Sequence, residues 1–487
     1  MPAPESIDAA VASVTDHPSD EQLRRAVSMV SPETVMDVIF GASNVLSGEL
    51  LGTGLGVSPG TAAGRVARSV DAALDLFDAD IDVILVMDET TAADEVAMRI
   101  ASGIVTARGG LASHAAVVAR DLGVPAICGV GALDQFSNGD ELLIDGRSGE
   151  IRRQRSLGGT NPISSGALEE LPPALAQLLD WADVIVGGRT QVLVNADRGD
   201  AVARGLRFGA RGVGLCRIEH LFLGEHASLV QAVLRGGTTT DFEQLLADQL
   251  VEVLTAAAGH PVTVRLLDAP AHEFGGPAEH DPMLGLRGVR AAIVTPELAA
   301  AQVRAIRAAH DAVADSEPRI MVPLVSLPGE MSVLRELMGD TGDLPIGVMI
   351  ETPRAALCAD RIASGCAFIS FGTNDLTQLT YGWGRDDLEA ALLPRYRALG
   401  MLDASPFETL DEGGVARLIA LAAQMVRAAN PTAGIGACGE HAGDPRSIEM
   451  LIRLGVDSVS CSAYRVPVAR LAVAQALIAH DHPPGQT

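Results

Sequence analysis

From residue 191 onward, eight short apolar runs recur, each followed by a stretch with helical spacing: QVLVNAD, GVGLCR, VTVRLLD, IMVPLV, GVMIET, FISFGTND, IGACGE and DSVSCS. Strands that alternate with helices pair in parallel, because a parallel neighbour is reached only through a helix-length crossover. Eight such units over about 300 residues predict a (β/α)8 barrel, placed at residues 185–480, with one longer insertion after the second strand. An open doubly wound sheet would fit fewer strands. In a barrel the chemistry sits where the strands end and the βα-loops converge. Those ends carry Asn195 and Asp197, Arg217 and Glu219, Arg265 and Asp268, Glu351, Asn374 and Asp375, and Cys438 and Glu440. Glu351, Asn374 and Asp375 offer the hard oxygen ligands that Mg2+ takes, and arginines suit carboxylate and phosphate. The substrate implied is a small polyanion held with a divalent metal. Taken singly, each residue also reads as structure: an ion pair, a helix cap at Glu351, a turn at GTND, an apolar filler at Cys438. Their convergence on one barrel face is what makes the set informative.

The chain ahead of the barrel divides into three parts. Residues 1–50 read as a helical leader, with Ser19 and Ser31 as N-cap candidates and acidic first turns. Residues 51–152 read as a compact α/β domain built on VILVMD, GIVTA, PAICG and ELLIDG, and the Gly, Ser and Pro interruptions of 153–184 read as a linker. Within the α/β domain, GIVTA runs into RGG and then SHAAVVARDL, a helix with Ser113 as N-cap and Gly123 as terminator. His114 therefore falls in the first helical turn. A phosphoryl group on it would meet free backbone N–H groups and the positive helix end, and the two glycines let the loop approach closely. Judged on this loop alone, a polar residue at a helix end is the favoured reading of His114.

Composition narrows the partners. A net charge of -26 opposes binding to nucleic acid or to an anionic membrane, both of which reward a basic surface. The chain has no signal-peptide pattern and no apolar run of membrane-spanning length, so it is expected to be cytoplasmic. Its six cysteines lack C-x-x-C spacing and are expected to be free thiols rather than a disulfide framework or zinc site. All 36 basic residues are arginine, which excludes a P-loop lysine, a Schiff-base lysine or any other lysine chemistry.

With these residues in view, GGLASHAAVVAR resembles the phosphohistidine signature of the phosphoenolpyruvate-utilising enzymes. The barrel segments GVGLCRIEHLF, VRLLDAPAHEF, DPMLGLRGVR, GVMIETPRAAL, FISFGTNDLTQLTYGWGRDD and GACGEHAGDPRSIEMLIRLGVDSVSCSAYRVPVARLAVAQ are similar to the same family, in the same order. The last three look like its pyruvate, phosphate dikinase branch rather than the sugar-transport Enzyme I or phosphoenolpyruvate synthase. The resemblance implies a swivelling phosphohistidine β/β/α domain followed by a TIM barrel. By it, His114 would carry the phosphoryl group on Nε2. Arg217, Arg265 and Arg287 would bind the carboxylate and phosphate of phosphoenolpyruvate, Gly372, Thr373, Asn374 and Asp375 would contact substrate, and Glu351 and Asp375 would ligate Mg2+. Cys438 would exchange a proton with the methylene or methyl carbon. Homodimerisation through the barrel is implied as well.

Two departures accompany the resemblance. Ala112 stands where many dikinases have a threonine that is phosphorylated in regulation, so that control is expected to be absent. Only about 50 residues precede the histidine domain, where a dikinase has a long ATP-grasp region. The expected activity is interconversion of phosphoenolpyruvate and pyruvate through phospho-His114, with the nucleotide site supplied by a separate subunit or replaced by another acceptor. The alternatives are an Enzyme I-like donor to a small phosphocarrier protein, and a silent phosphoenolpyruvate-binding protein.

Overall fold

The computed structural model describes all residues except 1–5, 16, 42–47, 92–93, 112, 154–167, 223–225, 275–278, 385–391, 394 and 482–487. The chain forms two compact units. One comprises residues 1–14, 29–178 and 383–408, and the other 15–28, 179–382 and 409–487.

The first unit is built on an eight-stranded mixed sheet in the order β1-β8-β7-β3-β4-β5-β6-β2. Its strands are β1 (Leu50–Thr53), β2 (Leu55–Ser58), β3 (Thr61–Ala67), β4 (Val83–Met87), β5 (Gly103–Thr106), β6 (Ala126–Cys128), β7 (Glu141–Asp145) and β8 (Glu150–Arg153). β3, β4, β5 and β6 run parallel, while β1, β8, β7 and β2 join antiparallel at the edges. Both faces of the central strands are buried. Leu85 and Ile104 pack against Ala97, Met98, Ala115 and Ala119 of the covering helices, and Ile84, Val86 and Val105 pack with Phe136, Ile144 and Ile151. Such strands read as continuous apolar runs, which is why β4, β5, β6 and β7 are visible in the sequence. β3, TAAGRVA, is too rich in alanine and glycine to stand out.

The second unit contains a closed barrel of eight parallel strands. They are β9 (Gln191–Asn195), β10 (Val213–Arg217), β11 (Pro261–Arg265), β12 (Glu317–Val322), β13 (Ile346–Ile350), β14 (Phe368–Gly372), β15 (Gly434–Cys438) and β16 (Ser458–Ser462). Each run recognised in the sequence supplies one strand, and β16 pairs with β9 to close the ring. At that seam the Asn195 amide donates to the Ser460 carbonyl at 3.2 Å and accepts from the Ser460 hydroxyl. Leu215, Met321, Met349 and Cys438 fill the interior with Phe368 against them. The connection after the second strand does hold two helices, Ala227–Leu234 and Thr240–Ala257, but 266–316 and 373–433 are longer than 218–260. Helical spacing hid those insertions, because extra helices look like ordinary crossovers.

The expected leader is not one body. Ser31 caps Pro32–Phe40 by accepting from Thr34 N at 3.1 Å, and Asp37 of that helix pairs with Arg147 in the sheet unit. Ser19 and Gln22 form reciprocal capping bonds at the start of Asp20–Met29, whose Arg24 pairs with Asp481 and whose Val27 carbonyl accepts from Gln475 in the barrel unit. The C-terminal part of the expected linker is the helix Pro173–Val186, with Leu175, Leu178, Leu179 and Ala182 buried. The rest of it, 154–167, lies outside the described residues, as does Ala112. Among the described residues no helix is long and apolar enough to cross a membrane. All six cysteines are free thiols.

Candidate functional site

His114 opens the helix His114–Leu122 directly after Ser113. The Ser113 hydroxyl accepts from Ala116 N at 3.4 Å and donates to the Gly110 carbonyl at 2.9 Å, so one side chain ties the loop to the helix start. Gly109 has φ +106, and a Cβ there would lie 2.8 Å from Ser113 Oγ. Only glycine fits that approach. The helix ends at Gly123 in the left-handed region, φ +69. His114 Nδ1 lies 3.1 Å from Thr90 Oγ1, and Thr90 is buried. The hydroxyl contact at Nδ1 makes the two ring nitrogens of His114 inequivalent. Thr90 was not evident from the sequence. The signal that could have found it is topological: β4 and β5 are parallel neighbours, so the DETT loop after β4 emerges beside the loop after β5.

The remaining expected residues belong to the barrel unit, and it gathers them at the strand ends. Arg217, Arg265, Gly372 and Cys438 are the last residues of β10, β11, β14 and β15. Glu351 follows β13, Arg287 is the N-cap of Gly288–Val294, and Thr373, Asn374 and Asp375 begin the helix Thr373–Tyr381. Asp268 organises the arginines. Its fully buried carboxylate accepts from Arg287 Nε at 2.8 Å and Nη2 at 2.8 Å, and pairs with Arg265 Nη1 at 3.2 Å. Arg265 also pairs with Glu219, and Arg287 reaches Asp375 at 3.3 Å. Burial alone would raise the Asp268 pKa, yet the two guanidiniums outweigh it and hold the group below its ordinary value. Both arginines are held charged by the same carboxylates against the cost of burial.

Arg217 differs from its neighbours. Among the described residues its guanidinium makes no hydrogen bond or ion pair, though its charge is felt at Asp197, Asp268 and Cys438. Glu219 Oε2 and Arg265 Nε are buried without a hydrogen-bond partner among the described residues. Unsatisfied groups of this kind cost free energy unless a ligand or water completes them, so a polar ligand with anionic oxygens suits this mouth.

Glu351 is 1% exposed, and its Oε1 accepts from Leu324 N at 2.6 Å. Burial first, and then the charges of Asp375 and Asp268, push its pKa up to about 8. A buried carboxylate held partly protonated by a second carboxylate is a donor set that a divalent cation would relieve, and both donors are hard oxygens. Among the described residues no group of three or more His, Cys, Asp and Glu stands ready for a metal. Mg2+ does not require one, since it binds through one or two carboxylates with substrate oxygens and water. Gly372 is packed against Glu351 and Met349, and a Cβ on it would lie 2.5 Å from Glu351 Oε2.

Cys438 is 2% exposed, with its thiol 3.6 Å from Ser370 Oγ and 3.6 Å from the Phe371 carbonyl. Burial raises its pKa, so it is a thiol, the form that can give up a proton. The sequence reading passed over Ser370, whose signal is a hydroxyl at an inward position of an otherwise apolar strand. It also passed over His220, whose Nδ1 lies 2.6 Å from Asp197 Oδ2.

Two family matches divide the chain in the same way. Residues 80–149 match the mobile domain of PEP-utilising enzymes, and residues 175–478 match their PEP-binding domain. The chain is 41% identical over 494 residues to pyruvate, phosphate dikinase of Rhizobium meliloti (strain 1021), covering 88% of this chain and 54% of that protein. It is 39% identical over 515 residues to the chloroplastic pyruvate, phosphate dikinase 1 of Arabidopsis thaliana, covering 93% and 53%. The corresponding protein of Oryza sativa subsp. japonica is 37% identical over 516 residues, with 93% and 54% covered. The chain thus spans about half the length of these relatives.

Proposed function

Because the chain belongs to the PEP-utilising enzymes, carrying their mobile and PEP-binding domains, we propose that it moves a phosphoryl group between phosphoenolpyruvate and His114, releasing or consuming pyruvate. The observation that carries this reading is Arg217, unpartnered among the described residues, beside the Asp268-centred arginines, the Glu351–Asp375 pair and the Cys438 thiol on one barrel mouth. Arg217, Arg265 and Arg287 bind the carboxylate and phosphate, with Gly372, Thr373, Asn374 and Asp375 along the substrate. Glu351 and Asp375 are the residues that would hold Mg2+, which supplies charge neutralisation for a developing enolate oxygen. Nε2 of His114 attacks phosphorus, a new N–P bond forms, and the P–O bond to the enol oxygen breaks. The Cys438 thiol then gives its proton to the methylene carbon, completing pyruvate and leaving a thiolate that regains a proton from solvent. In reverse the same groups run the steps backwards.

The phospho-His114 so formed needs a second destination. A separate nucleotide-binding subunit fits the dikinase relatives, and a phosphocarrier protein is the other acceptor of suitable chemistry. Incubation with phosphoenolpyruvate and Mg2+ is expected to add one acid-labile phosphoryl group to His114, read by mass spectrometry of the intact chain and its peptides. The His114→Ala chain should take up none. A folded parent chain that stays unmodified would sink this reading.

A further inference from the structure

The barrel mouth holds a buried histidine for which the phosphoryl chemistry above has no use. His441 follows Cys438 by three residues and is 0% exposed. Its Nδ1 lies 2.8 Å from Thr373 Oγ1, and that hydroxyl lies 2.8 Å from the carbonyl oxygen of Cys438. A threonine hydroxyl has one hydrogen, and a carbonyl can only accept. The hydroxyl hydrogen is therefore committed to Cys438, and Thr373 Oγ1 must accept from His441. Direction is fixed along the whole relay: Nδ1–H of His441 to the hydroxyl of Thr373, and the hydroxyl to the Cys438 carbonyl.

Two other contacts lie in the same place. Glu440 N donates to Asn374 Oδ1 at 3.1 Å. Gly439 has φ +100, and a Cβ on it would sit 2.5 Å from Thr373 Oγ1 and 2.8 Å from Asn374 Oδ1. The turn leaving β15 is thus pressed onto the turn leaving β14 at a distance only glycine allows, and the histidine relay ties the two at the peptide group of Cys438. The thiol is directed by the same pairing, since Ser370 and Phe371 belong to β14 and Cys438 is in register with Gly372.

We propose that His441 is a positioning residue for Cys438, fixing its peptide plane through Thr373 and thereby aiming its thiol at the barrel mouth. The inference rests on the reading of Cys438 as the group that exchanges a proton with the substrate carbon. No charge on the histidine is required. What the relay needs is one N–H donor at the Nδ1 position, and an asparagine amide can supply that while a leucine of similar bulk cannot.

Two readouts on the full chain test it. The first needs no substrate: alkylation of Cys438 by iodoacetamide, mapped by peptide mass spectrometry over a pH series. Freed of its relay, the thiol of His441→Leu should react about tenfold faster, and that of His441→Asn within about twofold of the parent. The second is exchange of pyruvate methyl hydrogens in D2O with Mg2+, followed by NMR. There a Cys438 thiolate takes a methyl proton and returns a deuteron gained from solvent. Exchange should slow about tenfold in His441→Leu and recover in His441→Asn, with pyruvate affinity little changed in both. Equal behaviour of parent and leucine chain in both assays would overturn the proposal, as would equal impairment of the leucine and asparagine chains. A parent that exchanges no methyl hydrogen would overturn the catalytic reading of Cys438 while alkylation still decides the positioning one. Should the leucine chain not fold, Thr373→Val removes the same two bonds from the other side and takes its place in the substrate-free alkylation assay.

Discussion

At the scale of single residues, charge is placed in two ways. Arg265 and Arg287 are locked by Asp268, whereas Arg217 has no carboxylate partner among the described residues. Rigid, paired arginines give a fixed positive wall, and an unpaired one keeps its donors for an incoming anion. Just behind Arg217, His220 and Asp197 form a half-buried pair at 2.6 Å. Burial works against the imidazolium, but the bond to Asp197 prevails and raises the His220 pKa above 6.5. Burial likewise opposes the carboxylate, and the same bond lowers the Asp197 pKa below 3.8. The signs follow from linkage: the histidine's stabilising share is complete below pH 6.5 and is lost as pH rises through its higher native value. The carboxylate's share is present above pH 3.8 and lost as pH falls through its lower native value. Asp197→Asn is expected to lower the melting temperature most between those limits, with the difference from the parent shrinking above pH 6.5. NMR titration should then find the His220 pKa lower than in the parent, because the Asp197 charge no longer offsets burial and Glu219 alone does so. Arginines and acids at strand ends were legible in the sequence, because a barrel topology fixes where strand ends meet. Thr90, His220 and His441 were not, since each acquires its meaning from a partner on another element.

At the scale of elements, short local signals were dependable. Ser19, Ser31 and Ser113 all cap the helices their positions suggested. A cap is written within four residues, so no distant contact is needed to read it. Ser113→Ala is expected to cost the sheet unit about 1 kcal/mol in urea unfolding, with Ser113→Thr recovering most of it. A loss-free alanine chain would mean that the Gly110 and Ala116 bonds are replaced by water. Elements whose apolar content is low were harder to see. β3 pairs with both β4 and β7 in the middle of its sheet, yet its alanines and glycine resemble a loop. Gly64 shows why they are there: a Cβ on it would lie 2.5 Å from the Asp82 carbonyl oxygen. Close backbone approach chose that residue, and close approach leaves no apolar mark.

At the scale of the whole molecule, one unit carries His114 and the other carries the strand-end acids and arginines. Under the proposed function, His114 serves both the mouth and a second acceptor, so the sheet unit must change position during turnover. A short rigid crosslink between the units, made through introduced exposed cysteines, is expected to slow transfer from phosphoenolpyruvate to the second acceptor at least about tenfold. Undiminished transfer in the crosslinked chain would exclude such motion. The sequence by itself determined the barrel, the histidine loop, the strand-end acids and arginines, and the absence of lysine chemistry, because periodicity, caps and composition are local properties. Only the tertiary structure decided that Asp268 binds two arginines while Arg217 pairs with no carboxylate among the described residues, that Glu351 is buried beside Asp375, and that His441 reaches Cys438 through Thr373. Those are relations between strands far apart in the chain. Barrel closure sets them, and no window of sequence contains them.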